Sequence, residues 1–299
     1  MCTKQGEPHL AEQLDSIIGQ SHPHWTIWAS DDGSTDGTLG ILAQYQESLG
    51  AHRFSIAKGP AQGYVKNFLS LACNPSIAAD VYAYSDQDDI WLPHKFKRAL
   101  DWLNTVPVHV PALYCGRTLV VDPANDPVGF SPLFAKPPGF SNALVQSIAG
   151  GNTMVFNQAA RTLLLEAGAD VQVASHDWWT YQVVSACGGQ VFYDPQPMVR
   201  YRQHACNVLG INNSWPARLA RTGMLLRGRF SDWTSMNILA LQRLNHHLTP
   251  GSRRQLDHFN QARAGGLVMR LAGIKRSGVY RQTKFGNLGL AAAIILKKI

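Results

Sequence analysis

An α/β fold, with a mainly parallel sheet flanked by helices, is predicted by two features of this 299-residue sequence. Short β-like runs alternate with helical stretches up to about residue 210, and acidic turns follow directly on two of those runs. A change of composition beyond that point predicts a separate, mostly helical C-terminal extension. Residues 1–210 carry 12 Lys+Arg against 18 Asp+Glu, a net charge of −6, whereas residues 211–299 carry 15 Lys+Arg against only Asp232 and Asp257, a net of +13. The two regions therefore do different electrostatic work.

The elements read in order as follows. Leu10, Leu14, Ile17 and Ile18 share one face of a helix entered at Pro8. Met1 stands only a few residues ahead of it, so Cys2-Thr3-Lys4 reads as the end of an opening strand truncated by the recorded start; the alternative is a sheet without that strand. His24–Trp28 reads as a strand feeding the polar turn Asp31–Asp36, where Asp36 is a candidate cap for a helix over 37–49. A strand at 54–56 and a helix at 64–71 repeat the unit. Val81–Tyr84 is a third strand that runs into Ser85-Asp86-Gln87-Asp88-Asp89, with a helix starting after Pro93. Residues 113–121 predict one more strand, and 123–139 a Pro/Gly-rich loop.

Composition excludes several classes. With 45% hydrophobic and 16% charged residues, the chain has the material for a core and is not globally disordered. The longest apolar run, Leu288–Leu296, is far short of the roughly 20 residues a membrane-crossing helix needs. No apolar signal core follows Met1, which predicts a cytoplasmic protein, with peripheral attachment to the cytoplasmic face of the inner membrane as the one membrane role. The five cysteines are scattered without CxxC spacing, so reduced thiols are expected rather than a disulfide framework or zinc knuckle.

In open parallel sheets, ligands bind beyond the carboxyl ends of the strands, where both acidic clusters fall. Asp86, Asp88 and Asp89 within four residues repel one another unless a cation or hydrogen-bond donors compensate. Carboxylate oxygens suit Mg²⁺ or Mn²⁺, which a protein commonly shares with substrate phosphates. Bland readings stand beside these: an acidic turn as a helix cap, Gly150-Gly151 as a tight turn, Asp177 as a cap of the helix after it, and His204 as a surface residue.

Asp31-Asp32-Gly33-Ser34-Thr35-Asp36, followed some 50 residues later by Asp86-x-Asp88-Asp89, resembles family 2 glycosyltransferases of the GT-A fold, a Rossmann-like architecture. Gly63 and Asn67, then Gly150-Gly151-Asn152-Thr153, then His176-Asp177-Trp178-Trp179, occur in a similar order. The ending Tyr201-Arg202-Gln203-His204-x-x-Asn207-Val208 resembles the bacterial rhamnosyltransferase-like members. The resemblance spans about residues 3–210. It implies that Asp31 or Asp32 accepts a hydrogen bond from the base of a nucleoside diphosphate sugar, with Gly63, Asn67, Gly151 and Asn152 around the same donor. It implies Asp86 on the ribose or metal, Asp88 on the metal, Asp89 as a further candidate ligand, His204 on the diphosphate or metal, and Asp177 as the catalytic base. His176 replaces the family's usual Glu; with Trp178 and Trp179 it is a candidate acceptor contact.

The expected function is then inverting transfer of a sugar, first L-rhamnose from dTDP-rhamnose, to a glycan or lipid-linked acceptor in surface polysaccharide assembly. A sugar nucleotidyltransferase would carry a Gly-rich, basic phosphate loop at the first strand, of which Thr3-Lys4-Gln5-Gly6 is a poor version. A non-catalytic nucleotide-sugar or membrane-binding protein would have lost Asp86, Asp88 or Asp177. The basic 211–299 region, with Trp215, Phe230 and Trp233, predicts an anionic membrane surface as partner, with an ordinary solvated helical surface as the bland alternative. Nucleic acid is disfavoured, because the preceding domain is acidic and no binding module is visible.

Overall fold

The computed structural model describes residues 1–203 and 229–299. His204, Cys206, Trp215 and the Arg218–Arg227 stretch lie outside the described residues, as does the expected boundary at 210/211.

Strand β1 (Cys2–Thr3) pairs in parallel with β2 (Ile27–Asp31), and β2 pairs in parallel with β3 (Phe54–Lys58). A second group has the order β10 (Gln190–Asp194), β6 (Ala112–Gly116), β9 (Val155–Asn157), β4 (Val81–Ala83). The short β1 joins the two groups, since the Cys2 amide donates to the Ser85 carbonyl at 3.2 Å just past β4. The opening strand is thus present, and it sits at the centre of the molecule. Strand β9 runs antiparallel to both β4 and β6, so the sheet is mixed on that side.

The expected single strand at 113–121 is two strands. It leaves the main sheet after Gly116 and resumes as β7 (Leu119–Val121) in a smaller sheet with β5 (Ile90–Trp91), β8 (Pro127–Phe130) and β11 (Val199–Arg202). Strand β8 supplies an element inside what reads as a loop, pairing antiparallel with β7. The expected cap Asp36 stands one residue early. Gly37 occupies the cap of α2 (Thr38–Leu49), while the Asp36 carboxylate accepts from the Thr38 hydroxyl at 2.5 Å.

Helix α1 (Leu10–Ile18) buries Leu10, Leu14 and Ile17 against Ile27, Phe54 and Trp91. Full burial of each such side chain stabilises the fold by about 1.5–3 kcal/mol. Helices α3 (Tyr64–Ala72), α6 (Gln158–Ala167) and α7 (His176–Ala186) contribute Phe68, Leu164, Trp179 and Val183 to the main apolar cluster.

The C-terminal helices are α8 (Arg229–Leu241), α9 (Pro250–Ala264), α10 (Leu267–Ser277) and α11 (Lys284–Ile295). Their Leu241, Leu256, Phe259, Leu290 and Ile294 belong to that same cluster, as do Leu244 and Leu248 between α8 and α9. A polar clasp seals the seam. Arg243 pairs with Asp170 at 2.7 Å, and His246 and His247 meet the two oxygens of Glu166 at 2.5 and 2.7 Å.

Because the helices after residue 229 share the core of the sheet region, the two should unfold together. Leu241→Ala, at a fully buried position, is expected to cost about 2–5 kcal/mol. Urea unfolding followed by far-UV circular dichroism and tryptophan fluorescence should give one coincident, shifted transition; two separate transitions would contradict the shared core.

Candidate active site

The site is built where β1, β2 and β4 end side by side. Asp31 closes β2 and turns its carboxylate back on the following loop. Oδ2 accepts from the Gly33 and Ser34 amides at 3.1 and 2.8 Å, and Oδ1 from the Ser34 and Thr3 hydroxyls at 2.5 and 2.9 Å. Burial alone would raise its pKa, but these donors outweigh burial and hold the carboxyl below its ordinary range. Asp32 accepts from the Ala61 amide at 2.6 Å and the Gly63 amide at 2.9 Å, pinning the loop ahead of α3. Gly63 has φ +88° with open space around a would-be Cβ, so backbone conformation requires the glycine. Asn67 is buried and exchanges hydrogen bonds with Ser30, at 2.5 Å to its hydroxyl and 2.9 Å to its carbonyl. It staples α3 to β2 and is not presented to a ligand.

The second acidic turn is locked in place from several directions. Gln87 accepts from the Lys4 amide at 2.7 Å and donates to the Lys4 carbonyl at 2.9 Å, so the turn is latched to the end of β1. Arg202, almost fully buried, donates to the Asp88 carbonyl at 3.3 Å and the Pro123 carbonyl at 2.8 Å, and pairs with Glu12 of α1. The Asp89 Oδ2 accepts from the Asn152 side chain at 2.6 Å, while its Oδ1 is buried with no hydrogen-bond partner. Asn152 therefore faces the acid cluster from within the protein, and the Asn152 carbonyl accepts from the buried Lys95 ammonium at 2.7 Å. Lys95 also stands 3.2 Å over the Trp91 ring.

The electrostatics follow from that packing. Burial, and then the carboxylates of Asp88 and Asp177, push Asp86 up to about 7, with Lys95 opposing. Burial and the Asp86 and Asp88 charges raise Asp89 as well, while burial pulls Lys95 down against the pull of Asp89 and Asp86. Asp86 thus stands among the Asp88, Asp89 and Asp177 carboxylates, with two buried cations, Lys95 and the Met1 ammonium, opposing them. The Asp86 carboxylate makes no hydrogen bond among the described residues, and one buried oxygen of Asp89 is orphaned. This donor set is all oxygen, and Asp86 and Asp89 keep oxygens that no described donor satisfies, which fits a hard divalent ion. The oxygens of Asp86, Asp88 and Asp89 do not already converge to within 4.8 Å of one another. Among the described residues, the one group that meets this spacing is Glu166, His246 and His247 at the clasp.

Asp177 lies in the first turn of α7. Its Oδ1 accepts from the Trp178 amide at 2.6 Å and from the Ser175 hydroxyl, leaving Oδ2 without a partner among the described residues. His176 beside it is buried, stacked on Phe68 with ring centroids 3.9 Å apart, and both of its nitrogens lack partners. Burial lowers its pKa to about 4, against the opposing charge of Asp177, so the ring is neutral at pH 7. A Cβ at Gly151 would stand 2.4 Å from His176 Nε2, so the glycine is required by the close approach of that ring.

The expectation of an acceptor wall at 176–179 is not met in this geometry. Trp179 is fully buried in the core. Trp178 is also buried, donates through Nε1 to the Ala143 carbonyl at 2.6 Å and stacks on Phe230. His176 likewise shows no face to solvent. Lys95, Arg202 and Gln87 are the parts of the site that the sequence reading missed. Arg202 lay inside a noticed motif, and Lys95 two residues after Pro93 carried no signal that it would be buried.

Residues 1–140 match the model of glycosyl transferase family 2. The chain is 32% identical over 234 residues to the dTDP-rhamnosyl transferase RfbG of Shigella flexneri, an alignment that covers 75% of this chain and 78% of the relative. Its fold is similar to that of S. aureus TarS 1–349, with a TM-score of 0.58 at 14% identity over 99% of this chain and 87% of TarS. It is also similar to the mannosyltransferase PcManGT from Pyrobaculum calidifontis, solved with GDP-Man and Mn²⁺, with a TM-score of 0.51 at 17% identity over 99% of this chain and 84% of that one. The architecture is thus the GT-A glycosyltransferase fold, and the chain belongs to glycosyltransferase family 2.

Proposed function

We propose that this glycosyltransferase transfers L-rhamnose from dTDP-rhamnose, with inversion, to a glycan or lipid-linked acceptor in surface polysaccharide assembly. The donor choice is supported by the likeness to RfbG along three quarters of the chain. The reaction is supported by the acid cluster Asp86-x-Asp88-Asp89, in which one buried oxygen of Asp89 is orphaned, standing with Asp177 close enough to raise the Asp86 pKa. All the carboxylates that a non-catalytic protein would have lost are in place.

In this reading residues 1–210 are the catalytic domain and 211–299 an extension that meets an anionic membrane surface. The loops shaped by Asp31 and Asp32 receive the base, with Gly63 and Gly151 leaving backbone close to the donor. Asp86 and Asp88 would hold Mg²⁺ or Mn²⁺, with Asp89 and His204 as further candidate ligands. A divalent ion there would supply charge neutralisation for the leaving dTDP. Asp177 Oδ2 accepts the proton of the acceptor hydroxyl as its oxygen bonds to the anomeric carbon and the bond from that carbon to the diphosphate breaks. Asn67 and Asn152 serve by holding α3 and the acid turn. His176 positions α7 through its stack on Phe68.

Calorimetric titration with dTDP and UDP, each with and without Mn²⁺, tests the donor assignment. Metal-dependent binding that favours dTDP is expected; metal-independent binding, or a preference for UDP, would contradict it. Asp88→Ala is expected to weaken Mn²⁺-dependent dTDP binding by more than about tenfold. Asp177→Asn should leave that binding intact and reduce transfer by about 10²–10⁴-fold; undiminished transfer would remove Asp177 as the base.

The buried neutral His176 makes stability fall with pH. The unfolded chain takes up the proton near pH 6.5 and the folded chain only near pH 4, so stability is unaffected above 6.5 and declines from there down to 4. The loss amounts to roughly 3 kcal/mol. His176→Phe should remove this part of the acid-side slope in urea melts between pH 7 and 4.5; an unchanged slope would contradict the burial argument.

A further inference from the structure

Helix α11 is apolar on both faces. Leu290, Ala293 and Ile294 point into the core, while Phe285, Leu288 and Ile295 face outward with exposures of 85%, 67% and 56%. Ala291 and Ala292 complete the outward stripe, at helical spacing from Leu288 and Ile295. A helix hydrophobic all round belongs in a core or in lipid, yet nothing covers this face among the described residues. Helix α10 buries only Gly273 and Ser277 and likewise exposes an apolar stripe, Val268 at 81%, Leu271 at 52% and Ala272, with Lys275 in line with them. The two helices meet at the C-terminal end of α11, where Arg270 of α10 donates to the Ile294 and Ile295 carbonyls at 2.8 and 3.1 Å.

Charge identifies the occupant. After Asp257 the chain has no acidic residue and eight Lys and Arg, among them Lys275, Arg276, Lys284, Lys297 and Lys298 around these two helices. A second copy docked on this face would set those cations against their own counterparts. Helix α11, at 12 residues, is too short to cross a bilayer, and no described helix is long and apolar enough to do so. An apolar stripe flanked by cations matches the boundary between acyl chains and anionic headgroups.

We propose that the outward face of the α10–α11 hairpin docks on an anionic lipid leaflet, with Phe285, Leu288 and Val268 entering the acyl boundary and Lys275, Arg276 and Lys284 meeting the headgroups. This rests on the reading above that the basic region meets a membrane, and it specifies the surface that does so. Such attachment would hold the active site beside a lipid-linked acceptor.

Flotation of the full chain with vesicles of phosphatidylcholine alone, or mixed with phosphatidylglycerol, tests it. Binding to the mixed vesicles that weakens with salt, and little binding to pure phosphatidylcholine, is expected. Phe285→Ser with Leu288→Ser should reduce binding by more than about tenfold. Lys275→Glu with Arg276→Glu should reduce it by about fivefold or more per site. Both pairs should keep the parental melting temperature and dTDP binding. No binding of the folded protein to phosphatidylglycerol vesicles, or binding that survives both pairs, would overturn the proposal. So would a dimer, seen by light scattering, that Phe285→Ser with Leu288→Ser abolishes without any vesicle binding. Failure to bind dTDP with vesicle binding intact would count against the donor reading alone.

Discussion

Like charge held at close quarters is the constraint on which this structure depends. Asp86, Asp88 and Asp89 follow one another just past β4, Asp177 approaches from α7, and the buried Lys95 and Met1 ammonium groups oppose the charge of Asp86. Such a cluster flies apart unless its backbone is fixed, and the surrounding elements fix it. The Lys4 backbone latches Gln87, Arg202 holds the Asp88 carbonyl, and Asn152 ties Asp89 to the turn before β9. Each tie comes from a different strand end, so the fold of the sheet and the geometry of the site are one problem. The same holds for Asp31 and Asp32, whose carboxylates shape two loops before any nucleotide arrives.

Much of this was legible in the sequence because it is local. Alternating βα units, the two acidic turns and the helix after Pro93 each announce themselves within a dozen residues, and their order carried the family resemblance. What escaped is non-local. Nothing around Asn67 shows that its amide will face Ser30, and nothing around Asn152 shows that it will face Asp89 rather than a donor. Trp178 and Trp179 read equally well as a wall or as core; packing across α7 and α8 decides for core. The break at Gly116 was hidden because Arg117-Thr118 sits between two runs that each look like strand.

The division of charge along the chain takes on a physical meaning in the fold. The C-terminal helices are not an independent body, since Leu241, Leu256, Phe259 and Ile294 pack into the main core. Leu290 and Ile294 of α11 are used by that packing, whereas the outward apolar stripes of α10 and α11 are covered by nothing among the described residues. The acidic turns would repel anionic lipid and the basic helices attract it, so the proposed membrane contact falls on the basic part of the chain.

The claim that most of this depends on is that the acid cluster awaits a divalent cation. It is tested most directly by the melting temperature of the nucleotide-free protein as Mg²⁺ is raised, in the parent and in Asp86→Asn with Asp88→Asn. Mg²⁺ is the right probe because it favours oxygen ligands over the imidazoles of the exposed clasp. A cation that binds only the folded state raises the melting temperature with concentration. The account predicts that rise in the parent, and in the double variant a higher starting temperature with little further response. No response to Mg²⁺ in the parent, or an equal response in both, would contradict it.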